Sequence, residues 1–317
     1  MRKIALEEHF MAPGFDHYEK AIAESMAPGV FEDFTKRLAE LGALRLAAMD
    51  LAGIDICVLS QTSPGLQIEQ DAKLATARAR QANDFLAQQI EAHPQRFRGF
   101  AHLALQDTDA AIAELDRCVN SLGFKGAMIN GHTNGRYLDE ESFYPFWQHV
   151  AKLDVPIYLH PANHFDSPHM YSGHPELTGP TWGWGVETGT HALRLIFSGL
   201  FDKLSSLRVI LGHMGETLPY LLWRFDSRAA ITKSPYVLQK QPSQYIRENF
   251  IVTTSGVCDT APLLCSIEAL GDDNVFFSVD YPYESSKIAA DFIENAPITD
   301  ETRAKICYKN AQRVLKL

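Results

Sequence analysis

Short runs of apolar and β-branched residues recur along the chain, each followed by a longer stretch whose apolar positions repeat every three or four residues. Eight of the short runs read as strands: Lys3–His9, Ile54–Ser60, Phe97–Leu105, Phe124–Asn130, Pro156–His160, Arg208–His213, Phe250–Ser255 and Val275–Asp280. In Thr35–Ala52, Leu38, Leu41, Leu44, Leu46 and Met49 fall close to the helical period. Asp71–Ala92, Asp107–Leu122, Glu141–Leu153, Val186–Leu200, Glu216–Ile231 and Ala261–Leu270 follow the same spacing. Two last helices are expected near Ser286–Asn295 and Thr299–Leu315, the second capped by Thr299 or Asp300 with Glu301 in its first turn.

Strands alternating with helices predict a parallel sheet. Eight repeats over nearly the whole chain predict an α/β fold, a (β/α)8 TIM barrel forming one domain over residues 1–317. A doubly wound sheet is the rival, but it usually shows a glycine-rich turn after its first strand, where this chain reads LEEHF. Two long loops, Met11–Phe34 and Pro161–Trp184, follow the first and fifth strands, at the end where barrels build active sites. An extra C-terminal helix closes the chain.

Composition narrows the function more than the fold. The 317 residues are 46% hydrophobic and 21% charged, which excludes a disordered chain. Against 29 Lys and Arg stand 39 Asp and Glu, a net charge of −10, so a nucleic-acid partner is not expected. The five cysteines, Cys57, Cys118, Cys258, Cys265 and Cys307, are odd in number and widely spaced without a CxxC, which argues against a disulfide framework or a cysteine zinc site. No apolar run approaches the roughly 18 residues of a membrane span, and MRKIALEEHF lacks the apolar core of a secretory signal. A cytoplasmic protein with no membrane partner is the expectation.

Polar residues gather where the strands end. The first strand ends Glu7-Glu8-His9, the fourth at Asn130, the fifth at His160, the sixth at His213 and the eighth at Asp280. Glu7 and His9 are two apart, so on a strand they share a face, with Glu8 on the other. In a barrel, Glu7, His9, His160 and Asp280 would converge as a mixed nitrogen and oxygen set suited to Zn²⁺ or Mn²⁺. Glu216, three residues after His213 and expected at a helix start, either orients that imidazole or sits in a first turn favoured by the helix dipole. Arg224 either binds a substrate carboxylate or pairs with Asp226 or another acid. Asn130 is a candidate partner for a phenol. Trp182, Trp184, Phe10 and Phe15 either wall an aromatic pocket or simply pack. The loop histidines His132, His164, His169 and His174 are left without a role.

These strand ends resemble the metal-site pattern of the amidohydrolase superfamily. That pattern is usually His-x-His, His, His, Asp, whereas here the first strand reads Glu7-x-His9. The departure is similar to the branch of non-oxidative aromatic acid decarboxylases, which includes γ-resorcylate, 2,3-dihydroxybenzoate and 5-carboxyvanillate decarboxylases. The resemblance runs nearly end to end through KIALEEHF, SLGFKGAMINGHTNGRYLDEE, LDVPIYLHP, VETGTHALRLIFSGLFDKLSSLRVILGHMGETLPYLLWRFD, TTSG and FSVDYPYE. HTNGRYLDEE looks closest to the 5-carboxyvanillate enzymes and LEEHF to the γ-resorcylate enzymes.

What the resemblance implies is specific. Binuclear members usually carry a carbamylated lysine at the end of the fourth strand; here that end is Met128-Ile129-Asn130, with Lys125 at the opposite end, so a single ion is implied. The implied enzyme is a metal-dependent carboxy-lyase that protonates an ortho-hydroxybenzoate ring and releases CO₂, with 2,6-dihydroxybenzoate the first choice. Asp280 would serve as ligand and proton donor, with His213 and Glu216 assisting at the phenol. No organic cofactor is expected, since ring protonation needs no electron sink, and a homodimer or homotetramer is. The alternatives are a hydrolase of the same superfamily acting on a lactone or amide, a 2-amino-3-carboxymuconate semialdehyde decarboxylase, against which Glu7 counts, and a non-catalytic binding barrel.

Overall fold

The computed structural model describes residues 1–19 and 26–317, so residues 20–25 of the loop Met11–Phe34 lie outside it. Nine strand segments are described: β1 Ile4–Phe10, β2 Ile56–Gln61, β3 Phe97–Gly99, β4 Ala101–His102, β5 Ala127–Asn130, β6 Ile157–His160, β7 Val209–Leu211, β8 Phe250–Thr253 and β9 Val275–Phe276. All pair in parallel, in the orders β1-β2-β3 and β4-β5-β6-β7-β8-β9. The third expected strand, Phe97–Leu105, is thus shorter and broken at Phe100, which joins both halves: its amide donates to Leu59 O at 2.9 Å while the Ala101 amide donates to Gly126 O at 2.9 Å. The remaining seam is bridged beyond β9, where the Asp280 amide donates to Glu7 O at 3.0 Å and the His9 amide donates to Tyr281 O at 2.8 Å.

Ile4, Leu6, Val58, Met128, Tyr158 and Ile251 point into the ring as one buried cluster. Ala311, Val314 and Leu315 of the C-terminal helix belong to the same cluster, so that helix plugs one end of the barrel. A larger cluster lies between the strands and the surrounding helices.

Helix starts follow side-chain chemistry. Asp71, Asp107, Asp259, Ser285 and Thr299 each accept from a backbone N–H at the start of the next helix, satisfying donors the helix itself cannot. Other boundaries correct the periodicity. Thr35–Ala52 is two helices, Val30–Ala39 and Ala43–Ala52, separated where the Glu40 carboxylate accepts from the Gly42 and Leu44 amides. Val186–Leu200 is shifted to Gly183–Phe197. Glu216–Ile231 is helical only over Leu222–Ala229, after a short 3₁₀ turn. Pro242–Asn249 is a helix the apolar pattern did not show.

Two buried histidines act as acceptors. His102 Nε2 takes the Leu66 amide at 3.0 Å, and His191 Nε2 takes the Leu138 amide at 2.9 Å. Burial pushes each from its ordinary 6.5 down to about 3. Between those values the unfolded chain binds the extra proton, so this stability is present above 6.5 and drains as pH falls toward 3. Going from about pH 6.5 to 5 costs about 2 kcal/mol per histidine. Urea unfolding at pH 7 and 5 checks this: His191→Gln is expected to shrink the acid loss by about that amount, and an unchanged slope would contradict it.

Candidate metal centre and active site

Local backbone departures, more than regular strands, aim the site. On β1 the pairing with β2 slips between Ala5 and Glu8, a bulge that spends three steps of β1 on two of β2. Leu6 already faces the barrel interior. Strict alternation would therefore turn Glu7 outward, and the bulge turns it back in. His9 then faces in as well, and Glu8 out. Asp280 lies four residues past the end of β9 with φ 81, a left-handed backbone that a non-glycine residue adopts at a cost.

Glu7, His9, His160 and Asp280 come together with one ligand atom each, all within 4.8 Å of one another. His160 Nε2 lies 3.3 Å from Glu7 Oε1, and His9 Nε2 lies 3.2 Å from Asp280 Oδ1. Both imidazoles turn their other nitrogen to the protein: His160 Nδ1 to Pro161 O at 2.8 Å and His9 Nδ1 to Ser60 Oγ at 3.5 Å. Glu7 Oε1, His9 Nε2 and Asp280 Oδ1 are buried without a hydrogen-bond partner. Orphaned buried acceptors are costly, and a shared cation would satisfy all of them. The donor set therefore fits a divalent ion.

The charges respond to this crowding. Burial pushes the Glu7 carboxyl above its ordinary range, against the pull of His213. Burial also opposes ionisation of Asp280, but the imidazoles of His213 and His9 outweigh it and hold that carboxyl well below its usual value. Burial and the neighbouring His9 keep His160 neutral, as a ligand must be.

His213 and Glu216 are joined, Nδ1 to Oε1 at 2.7 Å, and His213 Nε2 faces Asp280 Oδ2 at 3.6 Å. Neither residue stands where the sequence suggested. His213 is past the end of β7, and Glu216 is in no helix start. His213, Met214, Gly215, Glu216 and Thr217 have φ of 49°, 55°, 80°, 53° and 67°. Five consecutive left-handed residues make a strained turn that persists only because the surroundings enforce it. Gly215 shows how tight that is, since a Cβ there would meet Val252 Cγ1 at 2.6 Å. Burial opposes protonation of His213, but the carboxylates of Glu216 and Glu7 override it and keep the imidazole charged well above its ordinary range.

The other candidates scatter. Asn130 is buried beside His160 in the β5–β6 pairing, its amide directed to Gln61 O and Thr62 O and its Oδ1 unpartnered. Arg224 is exposed on the helix Leu222–Ala229; among the described residues its guanidinium makes no ion pair, and Asp226 accepts from Ser243 instead. Phe10 and Phe15 are core residues and Trp182 is exposed, while the Trp184 ring lies 6.3 Å from the His160 ring.

Two residues escaped the sequence reading. Arg45, fully buried, donates to His9 O and lies 4.1 Å over the Tyr281 ring, bracing the strand that carries His9. It sits near Glu8 behind the centre, where burial raises the Glu8 carboxyl to about 8. Tyr158 donates to Glu7 Oε2. Its signal was visible in PIYLH, two residues before His160 and so on the same face.

A parallel barrel that gathers four candidate ion donors at one end is the arrangement of a metal-dependent amidohydrolase-type enzyme. The amidohydrolase family model matches residues 38–317, and the chain belongs to that family. Within it the chain falls in the aromatic acid decarboxylase branch and is a carboxy-lyase with the (β/α)8 fold. It is 44% identical to a γ-resorcylate decarboxylase from Polaromonas sp., across 99% of this chain and 98% of that one. It matches a crystal structure of 2,6-dihydroxybenzoate decarboxylase complexed with 2,6-dihydroxybenzoate with a TM-score of 0.94 and 43% identity, over 100% of both chains. A dihydroxybenzoic acid decarboxylase structure from Polaromonas sp., with bound manganese and the inhibitor 2-nitroresorcinol, matches with a TM-score of 0.93 and 44% identity over 99% of this chain and 97% of that one. Among the described residues no helix is long and apolar enough to cross a membrane.

Proposed function

We propose that the chain converts 2,6-dihydroxybenzoate to resorcinol and CO₂, using one divalent ion, manganese, held by Glu7, His9, His160 and Asp280. The observation that carries this reading is the convergence of four buried or half-buried donors, three of them with an unpartnered atom, in a chain with end-to-end likeness to γ-resorcylate decarboxylases.

Direct loss of CO₂ would leave an aryl anion. An ortho hydroxyl, once ionised, instead pushes electron density onto the carbon that bears the carboxylate. The bound ion would act as a Lewis acid, orienting the carboxylate and phenol oxygen and lowering the phenol pKa. Asp280, ionised between His9 and His213, takes the phenol proton and delivers it to that ring carbon. The carbon–carbon bond then breaks, its electrons return to the ring, and CO₂ departs. His213, charged beside Glu216, returns a proton to the phenolate oxygen, so the sum is one carboxylate and one proton giving arene and CO₂. Asn130 offers its free Oδ1 to the second phenol, and Arg224 is kept as a partner for the substrate carboxylate.

Glu216→Gln tests the His213 pair. Without that carboxylate the imidazole loses its proton at lower pH, so the alkaline limb of the rate profile is expected to move down and kcat to fall about 10–100-fold. An unmoved limb would contradict the assignment.

The single barrel domain is proposed to work in the cytoplasm as a homodimer or homotetramer. Its cysteines are all free, which suits a reducing compartment. Tyr220, Trp223, Ile231 and Val237, 72–85% exposed within one short segment, offer apolar surface that a subunit contact would cover.

The deciding experiment follows a panel of hydroxybenzoates by ultraviolet absorbance, with metal content measured on the same sample. Decay of 2,6-dihydroxybenzoate with CO₂ release supports the reading. Inertness toward every hydroxybenzoate, with turnover of a lactone, would replace it by the hydrolase.

A further inference from the structure

We infer that Tyr158 and Thr253 are positioning residues for Glu7, two hydroxyls that commit one carboxylate oxygen to the protein and leave the other for the ion. This deepens the proposed metal reading and rests on it.

Tyr158 lies on β6 and Thr253 on β8, with β7 between them. Both are fully buried, their hydroxyls 2.9 Å apart. The phenol donates to Glu7 Oε2, and the Ser255 amide donates to Thr253 Oγ1 at 3.4 Å. A ligating carboxylate only accepts, so the Tyr158 proton must point at Glu7. The Tyr158 oxygen is then free to accept, and the Thr253 proton points at it. The Thr253 oxygen in turn accepts from the Ser255 amide. The chain of donors thus has a single direction, and each member polarises the next.

The other oxygen is treated differently. Oε1 has no hydrogen-bond partner and lies 3.3 Å from His160 Nε2. A glutamate has three rotatable bonds, and left alone its carboxylate could swing away or offer both oxygens. Here the Tyr158 hydroxyl holds Oε2, which leaves Oε1 facing His160 within the cluster. Tyr158 does this from the same strand face that presents His160, so one strand sets two ligands.

The test is Mn²⁺ affinity, measured on metal-free protein by competition with a chromophoric chelator. Wild type, Tyr158→Phe, Thr253→Val and the double variant are compared, with thermal midpoints of the metal-free proteins as a folding control. Tyr158→Phe is expected to weaken binding about 10–100-fold, the usual cost of losing a ligand's supporting hydrogen bond. Thr253→Val should weaken it less, and the double variant should bind no worse than Tyr158→Phe, because the threonine acts through the phenol. Wild-type affinity in Tyr158→Phe, or losses that multiply in the double variant, would overturn the inference. Should Tyr158→Phe not fold, Thr253→Val decides alone, wild-type affinity counting against the relay and weakened binding for it. Failure of the wild type to bind Mn²⁺ would instead sink the metal reading.

Discussion

Asp280→Asn is expected to lower kcat by at least about 10³-fold while leaving the barrel folded and the substrate still bound. The exchange is nearly isosteric, so the loss is chemical. An amide cannot take the phenol proton and pass it to the ring carbon. It also withdraws the negative charge that faces His9 at 3.2 Å and His213 at 3.6 Å. The backbone does not confound the result, because Asp280 sits at φ 81 and asparagine is among the few side chains that tolerate that region. The hydrogen bond that bridges the barrel seam uses the residue 280 amide and survives the change. One carbonyl oxygen remains to ligate, so metal content should fall less than activity, and added Mn²⁺ should not restore the rate. Single-turnover decay of 2,6-dihydroxybenzoate, with metal measured on the same sample, is the check. A variant that holds its metal and keeps a near wild-type rate would remove Asp280 from the proton path.

Which parts of this site could be read from sequence follows from what enforces them. Glu7, His9, His160 and Asp280 were legible because strand propensity and the two-residue alternation locate strand ends. A parallel barrel then gathers those ends at one face. The bulge between Ala5 and Glu8 was not legible. Alternation counted from His9 puts Glu7 inside, and counted from Leu6 puts it outside; only the pairing with β2 reconciles the two. The turn His213–Thr217 was hidden for a stronger reason. Glu216 has fair helix propensity and precedes a helical pattern, yet it and its neighbours take left-handed backbone, with Gly215 packed on Val252 of β8 and Glu216 on Gly185 and Gly189 of the helix Gly183–Phe197. That turn, and not a helix start, brings Glu216 Oε1 to His213 Nδ1. Some misses had visible signals. Gly42 interrupts Thr35–Ala52, and Pro242 followed by Gln244 marks a helix start, the Gln244 side chain accepting from the Gln241 amide at 3.0 Å.

A methyl group at Gly212 is expected to damage the site as severely as the loss of a ligand's support, by a different route. Gly212 has φ −70, so alanine fits its backbone without strain. The obstacle is space, because a Cβ there would lie 2.6 Å from Glu7 Oε2 and 3.1 Å from Oε1. The carboxylate cannot retreat freely. Tyr158 holds Oε2, and the Glu7 amide is tied to Ser278 Oγ at 2.6 Å. Gly212→Ala must therefore either push Oε1 out of the ligand cluster or break the Tyr158 bond. Both routes act on metal affinity, which should fall about 10–100-fold; overpacking a closed interior adds about 1–3 kcal/mol of destabilisation. Activity should vanish at limiting Mn²⁺ and return in large part at excess. That recovery separates Gly212→Ala from Asp280→Asn, in which the chemistry itself is missing. Urea unfolding of the metal-free variant measures the packing cost apart from the metal. A Gly212→Ala enzyme that binds Mn²⁺ like wild type would mean that Glu7 has room to move, and that its carboxylate is not clamped between β6 and β7.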